Sequence, residues 1–331
     1  MPSISLADDM PTNIAASPHP GTMVICVMCK NAPDAGEGAH SDLMERYRDP
    51  SPLVSAKWLA DHINDDDLLI VDASAGMSSS VMGGYEAFRD RYRARHLPGA
   101  VFADVVDALS EPDSALPLTR PTSSRLAAAL GELGVGEDTM VVLYDSSTGP
   151  WAARVWWLLR SLGHDRAAVL DGGLQAWTSA GHPVDSGGVS PTSKTFIPHE
   201  RPGVWVDKQD VLAVVRGEKS GTLLNAISSR AVAADDPVSA FTHQIPGSTA
   251  RPYPDLISPA TGELLTDSEL ADSLGDLPPG SPVIAYCGSA IGAATAALAL
   301  VHLGRDDVAI YDGSLAEWLS DPTAPLEIRG T

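Results

Sequence analysis

Short apolar runs alternate along this chain with longer stretches of helical period. Residues 68–72, 141–145 and 167–170 read as buried strands, and 222–225, 283–287 and 308–311 repeat the pattern further on. Between them, residues 123–133, 151–162, 267–274 and 290–303 place apolar side chains at the spacing of one helix face. The strand runs are apolar but for their ends (Asp72, Asp145, Thr222 and Asn225) and do not alternate, as expected where both faces of a sheet are covered. The order of elements therefore predicts an α/β fold, with mostly parallel sheets flanked by helices on both faces. Ligands in such folds bind just beyond the carboxyl ends of the strands.

The pattern occurs twice. His96-Leu97-Pro98-Gly99, the strand ending at Asp145, and Asp171-Gly172-Gly173-Leu174-Gln175-Ala176-Trp177 appear in the first half. Gln244-Ile245-Pro246-Gly247, the strand ending at Cys287, and Asp312-Gly313-Ser314-Leu315-Ala316-Glu317-Trp318 follow in the same order in the second. Pro98 and Pro246, Asp145 and Cys287, and Asp171 and Asp312 are 148, 142 and 141 positions apart. A repeat this long predicts duplicated domains rather than a solenoid. The expected division is 49–182 and 204–331, joined by a linker at 183–203 that is rich in Pro, Ser and Gly. Residues 1–48 match neither copy, and their composition predicts a poorly ordered extension. The Cys26-Val27-Met28-Cys29 pair within it has no second close pair to complete a structural zinc site and no strand–helix scaffold for a redox dithiol.

Charge narrows the choice of partners. With 43 acidic against 22 basic residues the net charge is −21, which argues against nucleic acid and anionic membranes as partners. It also disfavours long-range attraction of a small anion, so an anionic substrate needs local donors. No apolar run reaches the length of a membrane span, no signal peptide stands out, and three cysteines do not form a disulfide framework. A soluble, cytoplasmic protein is expected.

Cys287 is the strongest candidate for chemistry. It closes a strand and opens the small-residue loop Gly288-Ser289-Ala290-Ile291-Gly292, with a helix directly behind. Free backbone N–H groups and the positive end of a helix dipole at that junction favour negative charge on the sulfur and on anything attached to it. The alternative is a buried core cysteine, a common fate for this residue type. A Cys-x5-Arg phosphatase loop does not fit, because Ala293 stands where the arginine would be. Trp156, Trp157, Trp177 and Trp318 read as core, and the Asp-Gly turns before two helices read as turn and cap chemistry.

Three features together resemble the two-domain rhodanese-type sulfurtransferases over residues 50–331. They are Tyr92-x3-His96-Leu97-Pro98-Gly99-Ala100, Tyr311-Asp312-Gly313-Ser314-x2-Glu317-Trp318, and the strand–Cys287–loop–helix unit. The resemblance implies tandem rhodanese-like domains, of which only the second carries the cysteine; Asp145 takes its place in the first. Cys287-Gly288-Ser289 is similar to the 3-mercaptopyruvate branch, whereas members using thiosulfate place basic residues after the cysteine. The implied reaction moves sulfur from 3-mercaptopyruvate through a Cys287 persulfide to a thiol, thioredoxin or cyanide, with no metal or organic cofactor. It further implies that loop residues Gly288, Ala290, Ile291 and Gly292 hold the substrate sulfur, that Arg230 grips its carboxylate, and that Ser289 works with His96 and an acid, Glu86 or Asp90. His96 has an equal structural reading, since the His-Leu-Pro-Gly turn shapes a strand entry.

Several residues depart from the family's pattern. Ala290 replaces a glycine and is strained if its φ is positive. Gly292 replaces a hydroxyl residue, Asn225 and Ile227 stand where Asp and Arg are usual, Gln244 replaces a histidine, and Leu315 replaces an aromatic residue. Thiosulfate as donor, and a divergent pair acting as persulfide carrier or binding module with little turnover, therefore remain alternatives.

Overall fold

A computed structural model describes residues 51–78, 84–228, 243–278 and 280–328. The first half runs β1 (Leu53–Val54), α1 (Ala56–His62), β2 (Leu68–Asp72), β3 (Ala75–Met77), β4 (Tyr85–Ala87), α2 (Arg89–Ala94), β5 (Val101–Phe102), α3 (Ser123–Glu132), β6 (Met140–Tyr144), α4 (Pro150–Ser161), β7 (Ala167–Leu170) and α5 (Gly173–Ser179). The second half runs β8 (Trp205–Val206), α6 (Lys208–Val215), β9 (Thr222–Asn225), β10 (His243–Gln244), β11 (Thr249–Ala250), a 3-10 turn (Tyr253–Leu256), α7 (Asp267–Leu274), β12 (Val283–Tyr286), α8 (Ile291–His302), β13 (Val308–Tyr311), α9 (Ser314–Ser320) and β14 (Glu327–Ile328).

Each half builds a five-stranded parallel sheet, β1-β7-β6-β2-β5 in the first and β8-β13-β12-β9-β11 in the second. The strand order is the same in both, so the sequence repeat is a repeat of topology. In each sheet the central strand ends opposite a polar residue: Tyr144 pairs with Asp72, and Tyr286 with Asn225. The next residue, Asp145 or Cys287, leaves the sheet at its carboxyl edge. The two halves pack through α4 and α8, the helices that follow those residues. Both are apolar on nearly every side and are covered by their own sheet and by each other. Helix α8 makes this possible with Ala293, Ala294, Ala296, Ala297 and Ala299, all fully buried, whose small side chains allow close approach.

A buried ion pair also crosses between the halves. The Arg154 guanidinium on α4 donates to Asp312 Oδ1 (2.8 Å) and to Leu118 O (2.8 Å), and lies over the Trp205 ring. Asp312 Oδ2 accepts from Arg120 N (2.8 Å). Breaking such a pair leaves a buried charge without its partner, so the halves are held in one arrangement around the turn that precedes α9.

The segment 183–203, expected as a linker, is laid along the first half. His96 and Asp185 exchange backbone hydrogen bonds, Gly187 N donates to Arg93 O, Lys194 N to Gly131 O, and His199 N to Leu162 O. Phe196 is buried beneath it. The described residues form one compact unit. The expected extension with Cys26 and Cys29 lies outside the described residues, as does Arg230.

Candidate active site

Cys287 follows β12 and is buried, with 5% of its surface exposed. Its loop is fastened from behind by Ser314, whose Oγ accepts from Cys287 N (3.2 Å) and Ala290 N (3.1 Å) and donates to Tyr311 O (2.9 Å). Two further amides, Leu315 N and Ala316 N, donate to the carbonyls of Cys287 and Gly288. Ser314 and Ala290 are both left-handed, with φ of 48° and 62°. Ala290 is the N-cap of α8 and supplies no side-chain cap. The strain foreseen for an alanine at this position is therefore present, and the sharp turn it makes starts α8 three residues after Cys287, with its first amides free of intrahelical partners.

The first half shows what such a loop accommodates. The Asp145 carboxylate, fully buried, accepts from Ser147 N (2.8 Å), Ser147 Oγ (2.7 Å), Gly149 N (3.1 Å), Trp151 N (3.0 Å) and Ala152 N (3.1 Å). Gly149 is the left-handed cap of α4, four residues after Asp145; Ala290 is the left-handed cap of α8, three residues after Cys287. The second loop is thus one residue tighter. Trp151 and Ala152 are the second and third residues of α4, and Gly292 and Ala293 hold those places in α8. In the first half a carboxylate satisfies these orphan amides. In the second, the side chain at the same strand end is a thiol, so an anion borne on its sulfur would meet the same kind of donors.

The surroundings of the loop are aromatic, apolar or hydroxylic. Tyr85, on β4 of the first half, reaches across to place its hydroxyl 2.9 Å from Ser289 Oγ. The Tyr85 ring meets Trp151 edge-on, with centroids 5.8 Å apart. The Tyr253 ring covers the start of α8: a Cβ added to Gly292 would lie 3.1 Å from Tyr253 Cε1 and closer still to Cδ1. Gly292, noted in the sequence as a lost hydroxyl, is thus the residue that makes room for this ring. A Cβ on Gly288 would lie 4.0 Å from Ile227 Cδ1, so Ile227 presents a methyl group to the loop. Asn225 keeps the local role of its counterpart Asp72, accepting from Ile227 N (3.1 Å) as Asp72 accepts from Ser74 N (2.8 Å).

Burial pushes the Tyr85 and Tyr253 hydroxyls above the ordinary phenol range, and the nearby Cys287 sulfur acts in the same direction on both. The bond to Ser289 offsets part of this at Tyr85. Both phenols therefore stay protonated donors. Among the described residues, the side chains bonded to residues 287–293 are those of Ser314 and Tyr85, and neither carries charge.

His96 is buried in the first half. Its Nδ1 is bonded to Tyr92 O (2.8 Å), its ring stacks on Tyr92 at 4.3 Å, and its Nε2 has no partner. It therefore makes no hydrogen bond to Ser289. Of the two acids considered for it, Glu86 accepts from Ser78 Oγ (3.2 Å) and Asp90 pairs with Arg93 (3.6 Å). The residue that meets Ser289 is Tyr85, which sits 204 positions away in sequence and belongs to none of the motifs.

Among the described residues, the candidate site is a buried thiol at a strand end, a helix start three residues on, and side chains without charge bonded to the loop between them. The Rhodanese-like domain model matches residues 55–180 and 235–321, and the chain belongs to that family. It is 34% identical over 280 residues to the 3-mercaptopyruvate sulfurtransferase of Escherichia coli (strain K12), spanning 83% of this chain and 97% of the relative. It is 31% identical over 289 residues to the thiosulfate sulfurtransferase of Cricetulus griseus, spanning 84% and 94%. The crystal structure of SseA from Escherichia coli, a 3-mercaptopyruvate sulfotransferase with the rhodanese fold, aligns with a TM-score of 0.70 at 32% identity and covers 80% of this chain and 98% of that one.

Proposed function

We propose that this sulfurtransferase takes sulfur from 3-mercaptopyruvate onto Cys287 as a persulfide and passes it to a thiol such as that of thioredoxin, or to cyanide. The carrying observation is the pair of matched loops. One holds the Asp145 carboxylate on five donors, and the other begins its helix at the equivalent place, three residues after Cys287. The Cys287 thiolate attacks the donor sulfur, a sulfur–sulfur bond forms, and the sulfur–carbon bond breaks to release pyruvate. Amides of the 288–293 loop then stabilise the persulfide anion.

The choice of donor rests on charge. Thiosulfate is a dianion, and the loop from Gly288 to Ala293 contains no Lys or Arg to offset it. Mercaptopyruvate brings a neutral thiol to the nucleophile and keeps its single charge on a carboxylate, for which the family pattern assigns Arg230. The division into a scaffold domain, 49–182, and a catalytic domain, 204–331, belongs to the same reading, with Tyr85 of the first, backed by Trp151, bonded to the loop of the second. Among the described residues no helix is long and apolar enough to cross a membrane.

The test is steady-state thiocyanate formation from cyanide, with 3-mercaptopyruvate and thiosulfate in parallel and Cys287→Ser as control. Turnover with mercaptopyruvate that disappears in the control is expected. A preference for thiosulfate would overturn the donor assignment. Silence with both donors from folded protein would point to a carrier or binding module.

A further inference from the structure

Tyr85 has no part in the motifs that define the family, yet it is the side chain that the first half delivers to the catalytic loop. The delivery is built. Strands β3 and β4 form an antiparallel hairpin in which Met77 pairs with Tyr85 and Ala75 with Ala87. Ser78 N donates to Gly84 O (2.8 Å) and Phe88 N to Ser74 O (2.9 Å). The Phe88 ring packs on Gly76 so closely that any Cβ there would collide with it. The Tyr85 ring is fixed edge-on against buried Trp151, at 73° between planes, and its hydroxyl ends 2.9 Å from Ser289 Oγ.

We propose that Tyr85 is a positioning residue for the sulfur-loading step, donating its hydroxyl hydrogen to Ser289 Oγ and so turning the serine's own hydrogen toward the carbon that the donor sulfur leaves. The proposal gives the bond this direction because a phenol is by type the more acidic hydroxyl and so the better donor. A serine hydroxyl has one hydrogen, and Ser289 cannot give it to both Tyr85 and a substrate. The proposal rests on the mercaptopyruvate reading, because that donor needs a proton at carbon. As the Cys287 sulfur bonds to the donor sulfur and the sulfur–carbon bond breaks, the electron pair goes to the methylene carbon as the pyruvate enolate. That carbon takes the Ser289 proton, Tyr85 reprotonates the serine, and the proton released by the donor's thiol repays Tyr85 through solvent. The Cys287 sulfur and the donor sulfur are each oxidised by one electron as they bond, and the carbon is reduced by two, so no external redox partner enters. The unloading step, transfer of the outer sulfur from the persulfide anion to cyanide, consumes and releases no proton.

This asymmetry supplies the test. Tyr85→Phe keeps the ring and its contact with Trp151 and removes only the hydroxyl. Loading is read as pyruvate released in a single turnover with 3-mercaptopyruvate, and unloading as thiocyanate formed when persulfide-loaded enzyme meets cyanide. The expected result is loading slowed about tenfold or more, with unloading within about twofold of wild type. Ser289→Ala should lose at least as much, and the double variant should lose no more than Ser289→Ala alone, because Tyr85 acts through the serine. The wild-type solvent isotope effect on loading should change in Tyr85→Phe. Loading at the wild-type rate, or equal slowing of both half-reactions, would overturn the proposal, the second by showing a merely structural role. Wild-type enzyme that releases no pyruvate would strike down the donor assignment itself, and this proposal with it.

Discussion

Replacing Asp145 with alanine removes, in one change, the acceptor of five hydrogen bonds. The carboxylate takes them from Ser147 N and Oγ, Gly149 N, Trp151 N and Ala152 N, at 2.7 to 3.1 Å. Each buried donor left without a partner costs about 1–3 kcal/mol. Trp151 and Ala152 are buried, so their amides have no ready route to water, whereas Ser147 is exposed and Gly149 half-buried, and these recover part of their loss. We expect about 4 kcal/mol in all. At roughly 2–4 °C per kcal/mol for a large domain, the melting temperature should fall by roughly 10 °C. Asp145→Asn keeps one acceptor oxygen but turns an NH2 toward the remaining donors, so it should fall between wild type and alanine. Thermal and urea melts of the three proteins, followed by circular dichroism, make the comparison. An alanine variant within about 1 kcal/mol of wild type would refute the reasoning. The loop would then not depend on an anion, and the parallel drawn with the Cys287 loop would lose its basis.

Gly292→Ala places a methyl group against the Tyr253 ring, 3.1 Å from Cε1. It should cost about 1–3 kcal/mol by overpacking. Tyr253→Ala in the same chain should recover most of that; purely additive effects would show that the ring and the glycine are not coupled. Ala290→Gly relieves a left-handed alanine with φ 62° and should raise stability in urea by about 1 kcal/mol, while a loss would mean the alanine is not strained. Burial raises Asp171 to about 6 from its ordinary 3.8, so the folded state holds this proton more tightly than the unfolded state. Its contribution to stability is therefore greatest below the unfolded value and is lost as pH rises from about 4 to about 6. Asp171→Asn keeps an acceptor for Leu264 N (2.8 Å) and should remove that slope, so the variant gains on wild type across the window; a constant difference would contradict the assignment.

Much of this architecture was legible because the chain states it twice. The long central strands were visible as unbroken apolar runs, and β2, β7, β9 and β13 begin and end where the pattern placed them, with β6 and β12 within one residue. The two-residue edge strands β1, β5, β8 and β11 were not, because a run that short has no period to detect. The β3–β4 hairpin escaped for another reason. Its sequence, Ala75-Gly76-Met77 and Tyr85-Glu86-Ala87, lacks β-branched residues, and the hairpin is held by Phe88 packing on Gly76 rather than by strand propensity. Tyr85 was hidden with it. The nucleophile's position was readable from local order, strand then cysteine then helix. The phenol that meets Ser289 was not, since contact across the two halves has no trace in spacing. Gly292 shows the same limit: the sequence records a missing side chain, and only the packed structure shows the ring that fills the space.

The claim on which the account turns is that Cys287 carries the transferred sulfur. The most direct measurement is the intact mass and peptide map of the protein after brief exposure to 3-mercaptopyruvate, with Cys287→Ser treated alongside. The account predicts a gain of one sulfur atom, confined to the Cys287 peptide, removed by cyanide and absent from the serine variant. No gain on folded wild-type protein, or a gain that survives in Cys287→Ser, would contradict it.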